Sequence, residues 1–543
     1  MTRRELIAAA LGLLLAGAAI WLPPIEKYVH SETLITESCR IHTTQRASAP
    51  VAENKDVAII FHGLSANRKL MEPVARWAVA TGLRAYLIDM PGHGDSAEPF
   101  SFERAEQCAA EFLTELTKRG VLDPRRTVLI GHSMGASIAI RLADRYHAAA
   151  TIAISPAPLT PQPGPWQHAT PYTLPQRLPS NLLVFIASLD PFPIRDSAKQ
   201  WAAAGPDHSD ADFTARRALR LTDLSLATHV SVLVDTRVAL ESADWLQRAL
   251  AMPRYPSDLR TPPFAFALAL LGVMLLFPAV ATLLLPRASA GATAGVPFAT
   301  WKVYATWAAA SLLAAVVLKF WIPLAALRLF SGDYLASFLL IVGLAAIAVY
   351  CKQAGCPILA VFARVGPLVP FLKSQISDPK FPFDLRLRQR RDGSPRSILA
   401  ATLLAFVAFL AASWLLAWQA TDVWLNVARS LRFPFVLLAA FPYALAEELA
   451  LGPPRTGTAD VWRRLLRALA LRAILFVAML AAFLLLRSNQ ILIPLLALYL
   501  LLFSIAQRLG ADAIRRRTGS AAVAAVFGAI LTAWFIAAVF PLL

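Results

Sequence analysis

Histidine is scarce and unevenly placed in this chain: of 543 residues nine are histidine, and none lies beyond His229. Everything after that point lacks an imidazole for proton transfer or for holding a metal. Cysteine is scarcer still. The four, Cys39, Cys108, Cys351 and Cys356, form no C-x-x-C pair and no Cys/His cluster. That excludes a disulfide scaffold and gives structural zinc no footing, so no metal and no cofactor is called for. Acidic residues number 35 against 52 basic ones, a formal net charge of +17. What abounds is apolar: 57% of residues are hydrophobic and mean hydropathy is +0.54. A chain of this length and composition holds at least two domains, one of them solvated by lipid.

Arg3 and Arg4 precede an apolar run over residues 6–22. The A-x-A of residues 16–18 lies inside that run, which favours an uncleaved signal anchor (residues 1–24) over a cleaved signal peptide. Either one translocates the residues next in the chain. Over residues 25–260, short β-type runs such as "DVAIIFHG", "RTVLIGHS" and "NLLVFIASLD" alternate with amphipathic stretches at 68–81 and 102–119. Alternating strand and helix give βαβ units on a mostly parallel sheet, and continuously apolar runs fit strands covered on both faces. This is an α/β domain.

Residues 261–543 read as a helical transmembrane domain. Apolar blocks lie at 263–285, 303–327, 334–351, 397–418, 432–451, 468–486, 490–507 and 520–541, each near the ~20 residues that cross a hydrocarbon core. With the N-terminus inside, alternate loops collect the basic residues. Lys352, Lys373, Arg386, Arg388, Arg390, Arg391 and Arg396 fall in the loop 352–397, followed by Arg455, Arg463, Arg464 and Arg467, then Arg508, Arg515, Arg516 and Arg517. The opposite loops hold Arg328, Arg429, Arg432 and Arg487. This asymmetry puts the basic loops in the cytoplasm, provided residues 357–372 are interfacial rather than spanning. It removes nucleic acid as a partner, leaves the lipid bilayer as one, and turns the α/β domain away from the cytoplasm. The Ala/Leu/Arg-rich style fits a bacterial inner membrane.

One motif carries chemistry. In "TVLIGHSMGASIAI" Ser133 sits between Gly131 and Gly135, with a β-type run before and a helix-compatible run after. G-x-S-x-G between strand and helix is a nucleophile elbow, and its glycines leave room where backbones pass closely. Alone the pentapeptide could be a chance turn in a Gly- and Ala-rich chain. Two further turns accompany it: "FHGLSANR", with His62 and Gly63 at the end of an earlier strand, and "DMPGHGDS" at the end of the next. An acid and a base come later in the chain, in the order Ser, Asp, His.

With these spacings the three motifs resemble the α/β-hydrolase superfamily, in particular its lipase- and esterase-like members, over residues 57–250. The resemblance implies Ser133 as nucleophile, and the backbone N–H groups of Leu64 and Met134 as oxyanion hole. It implies Asp190 in "VFIASLDPFPI" as acid and His229 in "LATHVSVL" as base. His168 and His208 are the rival bases in loops, and Asp207, Asp223 and Asp235 the rival acids. His62, His93 and His132, beside motif glycines, read as structural or pocket-lining; His147 reads as a helix C-terminal residue, and His30 and His42 as preceding the core sheet. The segment 155–181 stands where many such hydrolases carry a helical cap. It is short and proline-rich, with Trp166 and Tyr172, which implies an open, shallow acyl pocket.

In the membrane half Glu447 and Glu448 stand out in "FPYALAEELALGPP". They read as lying at the cytoplasmic end of the sixth span, the block 432–451 counted after the N-terminal anchor, wetted beside Arg455. With "RTGSAAVAAVFGAILTAWF" the pair faintly resembles CAAX-type intramembrane endopeptidases. However, Gly452 replaces that family's arginine and its metal-associated histidines are missing, so the membrane half is at most a non-catalytic relative. Three functions are compatible with the whole: a membrane-anchored serine hydrolase acting on an ester, thioester or amide, with lipid or lipid-linked substrates favoured; an acyltransferase using the same acyl-serine; or a transport or assembly protein on a retained hydrolase fold.

Overall fold

A computed structural model of the chain describes residues 3–21, 28–47, 56–163, 166, 172–202, 209–252, 264–285, 300–320, 326–353, 399, 402–403, 424–486 and 490–543. The segment 357–372, nearly all of the loop 352–397, all but three residues of the block 397–418, and His168, His208 and Asp207 lie outside the described residues.

The α/β domain is built on one eight-stranded sheet: β1 (Tyr28–Ile35), β2 (Arg40–Ala47), β3 (Val57–Phe61), β4 (Arg84–Ile88), β5 (Thr127–His132), β6 (Ala150–Ile154), β7 (Leu182–Ala187) and β8 (Leu219–Leu224). Their order is β1-β2-β4-β3-β5-β6-β7-β8. β2 runs antiparallel to both β1 and β4, and every later pairing is parallel. His30 and His42 therefore lie within the sheet, on its antiparallel edge, rather than before it. Edge strands with one wet face are polar every other residue, which hides them from a search for continuous apolar runs.

Strands β3, β5, β6 and β7 are buried along their whole length. Period-2 alternation sends Val57, Ile59 and Phe61 to one face, where they meet α3 (Phe102–Lys118) and α4 (Met134–Tyr146). Ala58 and Ile60 go to the other, against α2 (Glu72–Ala80) and α7 (Thr236–Leu250), with Trp77 and Trp245 at the centre. Two shorter helices, α5 (Phe192–Trp201) and α6 (Asp210–Thr214), flank β7 and β8. Cys39 and Cys108 form a disulfide that ties the β1–β2 turn to α3.

Ahead of this domain, α1 (Arg3–Trp21) packs along α8 (Phe264–Leu284). The bundle continues with α9 (Thr300–Phe320), α10 (Gly332–Gln353), α11 (Val427–Leu451), α12 (Thr458–Leu485), α13 (Leu492–Leu495), α14 (Ala497–Thr518) and α15 (Ala521–Val539). Among the described residues α9, α10, α11, α12 and α15 are long and apolar enough to cross a membrane. Their shared core holds Trp307, Phe338, Tyr443 and Met479, and the buried Trp307 indole donates to the Tyr350 hydroxyl at 2.8 Å.

The expected wetting of Glu447 and Glu448 is corrected. They are 3% and 1% exposed. Arg472 from α12 binds Glu447 through both carboxylate oxygens at 2.7 and 2.8 Å. Arg508 from α14 reaches Glu448 at 2.6 Å and Glu447 at 3.3 Å, and Arg464 approaches Glu448 at 3.4 Å. Arginines set on two other helices replace water as the counter-charge, while Arg455 gives its backbone N–H to Asp460 instead.

The bundle docks on the α/β domain through its chain-terminal tail and one buried cation. Leu542 donates to Gly92 O at 3.0 Å and accepts from Phe100 N at 2.6 Å, while pairing with Leu329 on its other side. Phe330 stacks edge-on against Phe100 and Phe102, with centroids 5.7 and 6.2 Å away. Arg429 is 1% exposed. Its guanidinium donates to the carbonyls of Ala537, Ala538 and Phe540 at the end of α15 and, at 2.6 Å, to Gly92 O. Four carbonyls thus take up the two terminal nitrogens of the buried guanidinium in place of a carboxylate, while its Nε is left without a partner among the described residues. Arg429→Met is expected to destabilise the full chain by about 2–4 kcal/mol, because those carbonyls lose charge-assisted bonds. Thermal unfolding in detergent checks it, and an unchanged midpoint would show the contact to be dispensable.

Candidate active site

The loop from β5 into α4 places Ser133 at φ 53° and ψ −118°, a backbone conformation that non-glycine residues avoid at a cost of about 1–3 kcal/mol. Main-chain bonds hold it there: Ser133 N donates to Ile154 O at 2.9 Å, and Ser133 O accepts from Ala157 N at 3.0 Å and from Ala136 N and Ser137 N of α4 at 3.0 and 3.2 Å. The flanking glycines are obligatory for a steric reason. A Cβ on Gly131 would overlap the backbone of Gly135, and one on Gly135 would overlap the carbonyl of Phe61. The strain aims Ser133 Oγ off the carboxyl edge of the sheet, at the N-terminus of α4.

The structure brings together the three side chains singled out from the sequence. His229 Nε2 lies 3.0 Å from Ser133 Oγ, and His229 Nδ1 lies 2.6 Å from Asp190 Oδ1. Asp190, 5% exposed, accepts two further bonds on Oδ2, from Ala187 N and from Ser155 Oγ, each at 2.8 Å. Burial alone would push its carboxyl up, yet His229, Ala187 and Ser155 together hold it below the usual carboxylate value. An ionised Asp190 sets the proton of His229 on Nδ1 and leaves Nε2 free to accept from Ser133. The rival acids stand elsewhere: Asp223 pairs with Lys199 at 3.3 Å, and Asp235 caps α7 through Arg237 N at 2.9 Å.

Leu64 and Met134 lie on either side of Ser133. Gly63 comes so close that a Cβ there would be 2.9 Å from Ser133 Cβ. Among the described residues neither the Leu64 nor the Met134 N–H bonds a backbone carbonyl. The Leu64 turn is fixed from behind by "DMPGHGDS". Asp89 accepts from Arg68 N at 2.8 Å and from Asp95 N at 3.0 Å, and His93 Nε2 accepts from Ser65 N at 3.1 Å.

Three buried histidines support the site without titrating. His62 Nε2 accepts from Met90 N at 2.9 Å, and His132 Nε2–H donates to His229 O at 2.7 Å. Burial lowers all three, His62 and His93 below the ordinary 6.5 and His132 to about 3, where the neighbouring His229 adds to the effect. His132 thus positions the backbone of His229 while remaining neutral. Ser155 is the contributor that the sequence did not disclose. Its one signal was its place, a hydroxyl at the carboxyl end of β6 beside β7.

A small pocket of about 40 Å³ opens beside Ser133. Leu64, Met134 and Ile194 line it from the α/β domain, and Ile491 and Leu495 from the bundle. The expectation of an open, shallow site did not include the bundle, which supplies Ile491 and Leu495 to its wall. Trp166 and Tyr172 are buried, at 7% and 4% exposure.

Residues 52–249 match the family model described as serine aminopeptidase, S33. The chain carries a serine hydrolase. The match ends before the bundle, so it lends nothing to a CAAX-type relationship for the membrane half. A search of curated proteins returned no match. Among solved structures the hydrolase is similar to XC6422 from Xanthomonas campestris, an α/β serine hydrolase without lid, at 18% identity over 43% of this chain and 100% of that one, with a TM-score of 0.32. It is similar to EstE1, a thermophilic carboxylesterase cloned from a metagenomic library, at 12% identity over 46% and 98% of the two chains, with a TM-score of 0.33. An esterase from Pyrobaculum calidifontis gives 17% identity over 46% and 91%, with a TM-score of 0.32.

The site makes two outcomes testable in the hydrolase. The unfolded chain binds protons on His62, His93 and His132 as pH falls below about 6.5, whereas burial in the folded chain defers each of these protonations to lower pH, that of His132 to about 3. Their contribution to stability is complete above 6.5 and declines below it, at up to about 1.4 kcal/mol per pH unit for each ring. Denaturation midpoints at neutral and mildly acidic pH should diverge, and less so in His132→Gln. Separately, Ser155→Ala removes one of the donors to Asp190 and should lower kcat by about tenfold with little change in KM.

Proposed function

We propose that this protein is a membrane-anchored serine hydrolase that cleaves an ester, thioester or amide of a lipid or lipid-linked substrate outside the cytoplasm. The observation that carries the chemistry is the pair of short contacts, Ser133 Oγ to His229 Nε2 at 3.0 Å and His229 Nδ1 to Asp190 at 2.6 Å. Ser133 Oγ attacks the acyl carbon while its proton passes to Nε2, and Asp190 stabilises the imidazolium. The tetrahedral oxygen is received by the N–H groups of Leu64 and Met134, aided by the dipole of α4. Collapse breaks the bond to the leaving group, which takes the proton from Nε2–H. Water, giving its proton to the same nitrogen, then attacks the acyl carbon and frees Ser133 Oγ, to which the proton returns.

Two observations favour the non-cytoplasmic side. The bundle residues that touch the α/β domain, Phe330, Asn426, Phe483 and Leu542, belong to segments that the charge asymmetry assigns outside. The Cys39–Cys108 disulfide suits an oxidising compartment. A second reading, acyl transfer to a membrane-borne acceptor, is favoured by the bundle residues over the pocket, which keep water from the acyl-serine.

The test is a fluorophosphonate that cannot cross the bilayer, applied to intact spheroplasts. Wild-type protein should be labelled and Ser133→Ala should not. Wild-type protein present but unlabelled would count against both nucleophile and sidedness. Activity should fall by about 10⁴-fold or more in Ser133→Ala and by about 10⁴-fold in Asp190→Asn.

A further inference from the structure

The pocket beside Ser133 has two owners. The segment between β6 and β7 gives it Trp166, while the turn and short helix between α12 and α14 give it Ile491 and Leu495. The far wall is firmly built. Trp166 meets Phe483 of α12 edge-on at 5.0 Å between centroids, with Phe483 1% exposed, and Ile491 packs against the pair. The Leu64 side chain packs on the cores of both the α/β domain and the bundle, so the oxyanion turn and the wall are in continuous contact.

Apart from Ser133 Oγ the lining side chains are apolar, so beyond the serine and the Leu64 and Met134 N–H groups the wall offers contact to hydrocarbon rather than partners to water. The orientation of a substrate is set by what the lining omits. Nε2 of His229 must protonate the leaving group and later accept from water, so those groups sit on the His229 side of Ser133. His229 is not among the residues lining the pocket, whereas Leu64 and Met134 are. The pocket therefore receives the acyl half of the substrate.

We propose that Ile491 and Leu495 of the bundle form part of the wall of the acyl site, and that the first carbons of the substrate's hydrocarbon acyl chain lie between the α/β domain and the bundle, in the pocket of about 40 Å³. This rests on Ser133 being the nucleophile. The membrane half then acts as a specificity element as well as an anchor, and acyl selection is written in bundle residues outside the hydrolase motifs.

The experiment uses the full-length chain in nanodiscs and an alkyl fluorophosphonate whose tail ends in a diazirine. Bonding to Ser133 breaks the P–F bond, releases fluoride and the serine proton, and leaves the tail where an acyl chain would lie. Irradiation then marks what the tail touches. The expected product is a crosslink from modified Ser133 to the peptide carrying Ile491 and Leu495. Modified Ser133 with crosslinks confined to the α/β domain overturns the proposal and leaves the serine chemistry standing. Intact protein that never reacts at Ser133 overturns both. A second readout is the octanoate-to-acetate ratio of kcat/KM on p-nitrophenyl esters. Ile491→Trp and Leu495→Trp should lower it by about tenfold or more, and Leu495→Ala should raise it. A ratio equal to wild type in all three overturns the assignment.

Discussion

The backbone at Ser133 is the constraint around which the rest is arranged. A serine held at φ 53° is unfavourable in isolation and persists because β6 holds its N–H while the residues after β6 and the first turn of α4 hold its C=O. That demand fixes much of the local sequence: two glycines where Cβ atoms would collide, a buried parallel strand leading in, and a helix starting at once. The same strand order carries Asp190 to the end of β7 and His229 to the turn after β8, so that three side chains far apart in the chain meet above one edge of the sheet.

How much was legible depends on how local each signal is. The buried parallel strands announce themselves as continuous apolar runs, and the elbow as a pentapeptide whose glycines have steric reasons. Asp190 and His229 could be placed because strand ends are readable and the fold dictates which ends adjoin. The edge strands β1 and β2 were missed because alternating polarity on a half-wet strand looks like loop. Ser155 was missed because a hydroxyl at a strand end has no pattern of its own. The bundle's share of the pocket was missed for a deeper reason. Ile491 and Leu495 are unremarkable apolar residues inside a hydrophobic block, and only three-dimensional packing puts them beside Ser133, more than 350 positions away in the sequence.

Glu447 and Glu448 illustrate the same limit from the electrostatic side. A sequence shows where carboxylates fall along a span but not which arginines on other helices face them. Packing supplies Arg464, Arg472 and Arg508, and a carboxylate with bidentate partners can reside where a solvated one cannot. Such a cluster contributes little net stability compared with apolar residues of the same volume. Its effect is on register, since sliding α11 past α12 or α14 by one turn would strand several charges at once.

The single guanidinium shared by α15 and Gly92 has a consequence for how the protein meets its substrate. Arg429 is enclosed by carbonyls contributed by both halves, so it joins the α/β domain directly to the bundle. In the proposed membrane setting its serine is stationed at one altitude above the lipid. Selection then begins before any pocket is entered: only molecules able to lift their scissile bond to that altitude are offered to the enzyme at all.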